Sequence, residues 1–263
     1  MMLKDKTAVV YGAAGAVGSA VARAFAAEGA AVHLAGRTLA PLKELERQIR
    51  DAGGKAHSVE LDTLDAAAVE ADVTSIIRGR GRLDISFNAI GIPQAGIQGT
   101  PLTELALDKF ELPITTYTRS HFLTATAAAR RMAVQGAGVI LMHTPEPARL
   151  GLPLVGGMGP AWAALEGLNR QLSAELAVRG VRAVCLRSTG IPETKTIDVV
   201  FSLHAERLGI TRPQFLAAAE AMTHRRRSTT LAELTSAAVF LASDAAAGMT
   251  GTVANLTGGA VVD

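Results

Sequence analysis

Cysteine is almost absent from this chain: Cys185 stands alone among 263 residues. A lone cysteine excludes an intrachain disulfide and fits a reducing compartment, so a cytoplasmic location is expected. Cys185 lies in the apolar run 181–186 and reads as a buried strand residue rather than a nucleophile. Charge of either sign is not in excess; the net value is +2, which gives no reason to expect a nucleic-acid partner. The one basic run, Arg225-Arg226-Arg227, is short, lacks aromatic neighbours and reads as solvated. No apolar stretch approaches the roughly 18 residues a membrane span needs, and the chain start shows no signal-peptide pattern, so no membrane partner is expected. The six histidines are scattered and no His-Glu-x-x-His occurs, so no metal is expected. Two local absences matter more. No acidic residue falls between Glu28 and Glu44, and no lysine between Lys109 and Lys195.

Hydrophobic residues make up 49% of the chain. They are arranged as short continuous apolar runs alternating with amphipathic stretches. Strands are expected at 7–11, 31–35, 57–61, 83–87, 139–142, 181–186 and 252–256. Helices are expected at 16–28, 41–52, 65–78, 116–134, 159–177 and 231–241. Such βαβ alternation predicts a parallel sheet, and uniformly apolar strands predict a sheet covered on both faces. The expectation is a single doubly wound α/β domain over 1–263, with about seven strands, helices on both faces and a substrate lid at about 193–224.

The first strand runs into Tyr11-Gly12-Ala13-Ala14-Gly15-Ala16-Val17-Gly18, where a helix opens. Glycines there allow a sharp turn, and the free N–H groups of the helix start suit a pyrophosphate. Strand before, helix after and a position near the chain start make a dinucleotide site the preferred reading. Gly12, Ala14, Gly15, Ala16, Val17 and Gly18 are its candidate contacts. The second strand ends in Gly36-Arg37. A carboxylate at this place would bind the ribose hydroxyls of NAD; a guanidinium instead pairs with a 2′-phosphate. The cofactor expected is NADP(H), with NAD less favoured.

These residues and later ones resemble the short-chain dehydrogenase/reductase family along essentially the whole chain. Gly12–Gly18 is similar to its Thr-Gly-x-x-x-Gly-x-Gly turn, with Tyr11 and Ala16 as departures. Leu83-Asp84-Ile85 with Asn88-Ala89-Ile90-Gly91 resembles Leu-Asp-Ile with Asn-Asn-Ala-Gly. Thr189-Gly190-Ile191-Pro192-Glu193-Thr194 resembles Pro-Gly-x-x-x-Thr, and Asn255-Leu256-Thr257-Gly258-Gly259 the closing strand. The resemblance implies a Rossmann fold and a homodimer or homotetramer. It also implies cofactor contacts at Asp62 and Thr63, at Asn88, Ala89 and Gly91, and at Ile191 and Thr194.

The resemblance also implies an Asn, Ser, Tyr, Lys catalytic set, and here the chain departs. The lysine position holds Trp162 and the tyrosine position Met158. The serine position falls on Pro145, beside Thr144, and the asparagine position on Tyr117 or Thr118. The only tyrosines are Tyr11 and Tyr117, and neither is followed by lysine four residues on. Candidate replacements expected at the same cleft are Tyr117, His143 and Glu146. Met158 and Trp162 are expected to form an apolar substrate wall. The apolar content of 193–224 points to an apolar small-molecule substrate. The function expected is an NADP(H)-dependent oxidoreductase with non-standard catalytic groups, reducing an activated C=C or C=N. The rivals are a non-catalytic NADP-binding protein, such as a redox sensor or inactive partner subunit, and a ligand binder that has lost the cofactor because of Tyr11 and Ala16.

Overall fold

A computed structural model of the chain describes residues 1–262; residue 263 lies outside the described residues. Seven parallel strands form one sheet in the order β3-β2-β1-β4-β5-β6-β7. In chain order the elements are β1 Thr7–Tyr11, α1 Ala16–Ala27, β2 Ala31–Gly36, α2 Leu39–Asp51, β3 Lys55–Glu60, α3 Ala66–Arg80 and β4 Ile85–Asn88. There follow α4 Leu107–Gln135, β5 Gly138–Pro145, α5 Met158–Leu176, β6 Val181–Ser188, α6 Lys195–Leu208, α7 Arg212–Ala221, α8 Leu231–Ala242 and β7 Val253–Leu256. The doubly wound parallel sheet predicted from the alternation is therefore present. The strand order reverses between β1 and β4, and ligands of such sheets bind at the carboxyl ends of the strands beside that reversal.

Side-chain alternation along each strand divides the core in two. On one face Val10, Leu34, Phe87 and Leu141 pack with Phe25 of α1, Leu42 of α2 and Leu234 of α8. On the other, Val9, Tyr11, Ile140 and Met142 pack with Val73 of α3, Ala128 of α4 and Leu165 of α5. Cys185 belongs to this second cluster and is fully buried, as its apolar run predicts. Burial pushes its thiol up to about 12.

The largest departure from the expected boundaries is α4, which starts at Leu107 rather than 116. Pro113 argues for a helix beginning after it. Instead the helix carries the proline in its interior, buried, where a Cβ on Gly157 would come within 2.9 Å of the Pro113 ring. The segment 193–224, expected as a lid, contains α6 and α7. Thr194 caps α6 through its hydroxyl, and Thr211 with Gln214 forms a capping box on α7. The basic run meets an acid: Arg225 and Arg227 both pair with Glu233 at 2.6 Å.

One buried ion pair joins the sheet to α5. Glu166 accepts from Arg187 at 2.6 and 2.8 Å and from the Thr144 hydroxyl at 3.0 Å, and both charged side chains are 6% exposed. Removing Glu166 takes a bidentate carboxylate from a buried guanidinium and from the Thr144 hydroxyl. Glu166→Ala is expected to lower folding stability by about 3–5 kcal/mol, read as a shift in the urea midpoint with unchanged m.

Candidate active site

One cavity of about 960 Å³ opens at the carboxyl ends of the strands. It runs from the β1–α1 turn, past the ends of β2, β4 and β5, to the lid helices. Its charged lining residues are Arg37, Asp62 and Glu146 alone, and no lysine lines it. The remaining wall is mostly apolar.

At the turn, Gly12 adopts φ +70°, and a Cβ there would meet the Ala89 carbonyl oxygen at 2.6 Å. The close approach of the two loops therefore requires glycine. Gly15 N–H donates to the Gly12 carbonyl at 3.0 Å and Ser19 N–H to the Gly15 carbonyl at 2.8 Å. The N–H groups of Ala16, Val17 and Gly18 between them have no side-chain cap and no main-chain acceptor. Open donors at a helix start, lined by Gly12, Ala14, Gly15, Ala16 and Val17, fit a pyrophosphate. Gly18 does not line the cavity. It is buried beneath the turn, where a Cβ would run into the Gly12 carbonyl, so its part is packing. Tyr11 does not intrude either. Its ring is fully buried in the α3-side core, and its hydroxyl has no partner.

Arg37, Asp62, Thr63, Asn88, Ala89, Gly91, Ile191 and Thr194 all line the cavity. Arg37 is exposed, with no ion-pair partner among the described residues. Asn88 is committed internally: its Nδ2 donates to Ser120 Oγ at 3.0 Å and Thr124 Oγ1 at 2.9 Å, and its Oδ1 accepts from Ile90 N–H at 3.1 Å. Ser120 Oγ donates in turn to Thr63 Oγ1 at 2.9 Å. This buried chain ties the loops after β3 and β4 to α4. Thr194 is likewise occupied, donating to the Ile191 carbonyl at 2.9 Å while capping α6.

The three catalytic candidates all reach the cavity wall. Tyr117 is 6% exposed and lies against Trp162 and His121, with ring centroids 6.4 Å apart in each pair. Burial pushes its phenol up to about 12, against the pull of the Ile92 N–H, and no cation stands near to activate it. His143 Nε2 is 2.9 Å from Ser188 Oγ. Burial and then neighbouring His121 hold this imidazole down at about 4, so it is neutral at pH 7. Glu146 follows β5 in a short 3-10 turn, with a buried Oε2 that has no hydrogen-bond partner. Burial pushes its carboxyl up to about 7, opposed by the N–H groups of Glu146 and Gly190.

The expected apolar wall is half present. Trp162 lines the cavity, but Met158 is fully buried behind it. Met158 opens α5, and its side chain packs in the core instead of facing the cleft. Pro145 lines the cavity whereas Thr144 points away to Glu166, as strand alternation dictates. Several cavity residues lacked an individual sequence signal. Gln98, for example, faces His204 Nε2 at 2.9 Å and pins α6 to the loop after β4. Ser188 could have been found by parity, since it lies two residues beyond Leu186, the cross-strand neighbour of His143.

The parallel sheet, the glycine turn that opens α1 and the cavity at the strand ends are an arrangement that would suit a dinucleotide. A family model described as enoyl-(acyl carrier protein) reductase matches residues 12–261, and the chain belongs to the short-chain dehydrogenase/reductase family. Among its relatives is an uncharacterized oxidoreductase, YxbG, of Bacillus subtilis, 30% identical over 98% of this chain and 91% of that protein. The D-threitol dehydrogenase of Mycolicibacterium smegmatis is 28% identical over 98% of this chain and 93% of its own. A putative NAD(P)-dependent gluconate 5-dehydrogenase of Beutenbergia cavernae, solved with NADP at low occupancy, superposes with a TM-score of 0.84. It is 28% identical and covers 97% of this chain and 96% of its own. NAD⁺-bound xylitol dehydrogenase gives a TM-score of 0.92 over 98% of this chain and 100% of its own; at 24% identity it supports the fold. Among the described residues, no helix is long and apolar enough to cross a membrane, and no three His, Cys, Asp or Glu side chains gather as a metal site.

Glu146 makes the site visible in stability. Its folded pKa, about 7, lies above its ordinary value of 4.5. Below 4.5 the group is neutral in both states; between 4.5 and 7 the unfolded chain has lost the proton that the folded chain keeps, so stability falls, and above 7 the loss is complete. Glu146→Gln is therefore expected to gain stability over the parent chain between pH 4.5 and 7, by up to about 3 kcal/mol, and to hold that lead above pH 7. Melting temperatures of both proteins across pH 4–9 measure it.

Proposed function

We propose that the chain is an NADPH-dependent reductase acting on a polarised C=C or C=N bond of an apolar molecule, with Glu146 as proton donor. The observation that carries this reading is Glu146 in the wall of the cavity that begins at the β1–α1 turn, its Oε2 without a partner. On the family resemblance, the Asn, Ser, Tyr and Lys positions fall on Tyr117 or Thr118, Pro145, Met158 and Trp162. The residues that would hold the cofactor are Ala16 and Val17, through their open N–H groups, for the pyrophosphate and Arg37 for the 2′-phosphate. NADPH, when bound there, would supply the hydride for the electron-poor carbon of the double bond. Glu146, neutral in a substantial fraction at pH 7, gives its proton to the atom at the other end and is reprotonated from water. Tyr117 and Trp162 form the wall that excludes water.

The family description, an enoyl reductase, accords with a C=C acceptor. A bond polarised by a conjugated group needs less help from an acid than a ketone does, which suits a site without a Tyr–Lys pair. The apolar wall around Leu154, Phe201 and Phe215, with Gln98 and His204 bonded to each other, supports an apolar substrate.

Fluorescence titration with NADPH and NADH tests the cofactor. Arg37→Ala is expected to weaken NADPH binding by roughly 10- to 100-fold and leave NADH binding within about twofold. For the chemistry, Glu146→Gln is expected to lower kcat for an α,β-unsaturated carbonyl by roughly 10²–10⁴-fold with NADPH affinity intact. Full activity in that variant refutes the role of Glu146. Binding of NADPH with no turnover of any polarised alkene or imine leaves a non-catalytic dinucleotide-binding protein.

A further inference from the structure

We infer that His143 is locked as the Nε2–H tautomer and presents its Nδ1 lone pair to the cavity, so that the site selects a ligand carrying an O–H or N–H donor. The argument is a proton count. Ser188 Oγ has one proton, and it donates to the Thr189 carbonyl at 2.8 Å, since a carbonyl can only accept. With that bond made, Ser188 Oγ meets His143 Nε2, 2.9 Å away, as an acceptor, which assigns the hydrogen to Nε2. A neutral imidazole has one N–H, so Nδ1 is left with a lone pair. His143 is neutral at pH 7 because burial disfavours its charged form. Nδ1 has no protein partner, and it is not among the fully buried unpartnered atoms, unlike Nε2 of His33 and of His121. His143 lines the cavity, so the free lone pair is reachable from it.

An apolar cavity with an unpaired acceptor favours a ligand that brings the missing donor, because an unmatched buried polar atom is costly. Glu146 lies on the same wall and in its protonated form is a donor. A ligand that satisfies both has a hydrogen-bond acceptor and, near it, a hydroxyl or N–H. On the reductase reading above, on which this substrate class rests, the polarised double bond lies between apolar arms with one such donor beside it. His143 then acts as a specificity residue and not as the acid.

The tautomer is read without any turnover. Two-bond ¹H–¹⁵N correlation spectra of the full chain labelled at histidine, at pH 7, are expected to show His143 with protonated Nε2 and unprotonated Nδ1. Ser188→Ala is expected to mix the two tautomers. A probe pair tests the ligand preference: 2-naphthol, which has the donor, and 2-methoxynaphthalene, which lacks it. Calorimetry with the NADPH-saturated protein, and without NADPH, is expected to show 2-naphthol bound roughly 3- to 10-fold more tightly. In His143→Phe the ratio is expected to fall to about one. A protonated Nδ1 in the parent chain overturns the inference, and so does an undiminished ratio in His143→Phe. Failure of NADPH to bind overturns the cofactor reading instead, and leaves the tautomer result standing.

Discussion

The site rests on a contact between backbones. The loop after β1 and the loop after β4 approach so closely that no side chain fits at Gly12, and α1 sits so near that none fits at Gly18. These glycines bring three elements together at the point where the strand order reverses. Helix α1 thereby aims its unpaired N–H groups into the space between the loops. Ala16 is compatible with this arrangement because its backbone is helical and the turn's positive φ falls on Gly12. The open donors, the cavity and the approach of the β4 loop all follow from that one close packing.

Polar groups around the cavity divide into those with partners and those without. Thr63, Ser120, Asn88 and Thr124 complete one another, as do Gln98 and His204, and these pairs hold loops and lid in place. The Oε2 of Glu146, the Nε2 of His121 and the Nδ1 of His143 are left over. In a protein interior where buried polar atoms are generally paired, such leftovers mark where a ligand belongs. Their chemistry is complementary: the Glu146 carboxyl can give a proton, and the imidazole nitrogens can accept a hydrogen bond.

Much of this was legible in the sequence because it depends on local pattern. Apolar runs spaced by amphipathic stretches gave the strands and helices, and Gly12 with Gly15 and Gly18 gave the turn. Arg37 reached the cavity as its place at the end of β2 requires. Pattern failed where tertiary packing overrode it: Pro113 would ordinarily delay a helix start, yet α4 runs through it. It also failed where side-chain direction decides function. Met158 and Trp162 are four residues apart on one helix, but Met158 heads the helix and turns into the core. The pairing of His143 with Ser188 joins residues 45 positions apart, and only the register of β5 on β6 reveals it.

The uneven distribution of charge along the cavity has a consequence for ionic conditions. Arg37 sits exposed at one end, while toward α6 and α7 the walls are lined by Leu154, Phe201 and Phe215. Dissolved ions screen exposed charges over a Debye length of about 8 Å at 0.15 M, and strongly excluded salts strengthen apolar association. Raising ionic strength thus pulls the two ends of one cleft in opposite directions, loosening whatever the guanidinium holds while tightening whatever the aromatic and aliphatic walls enclose.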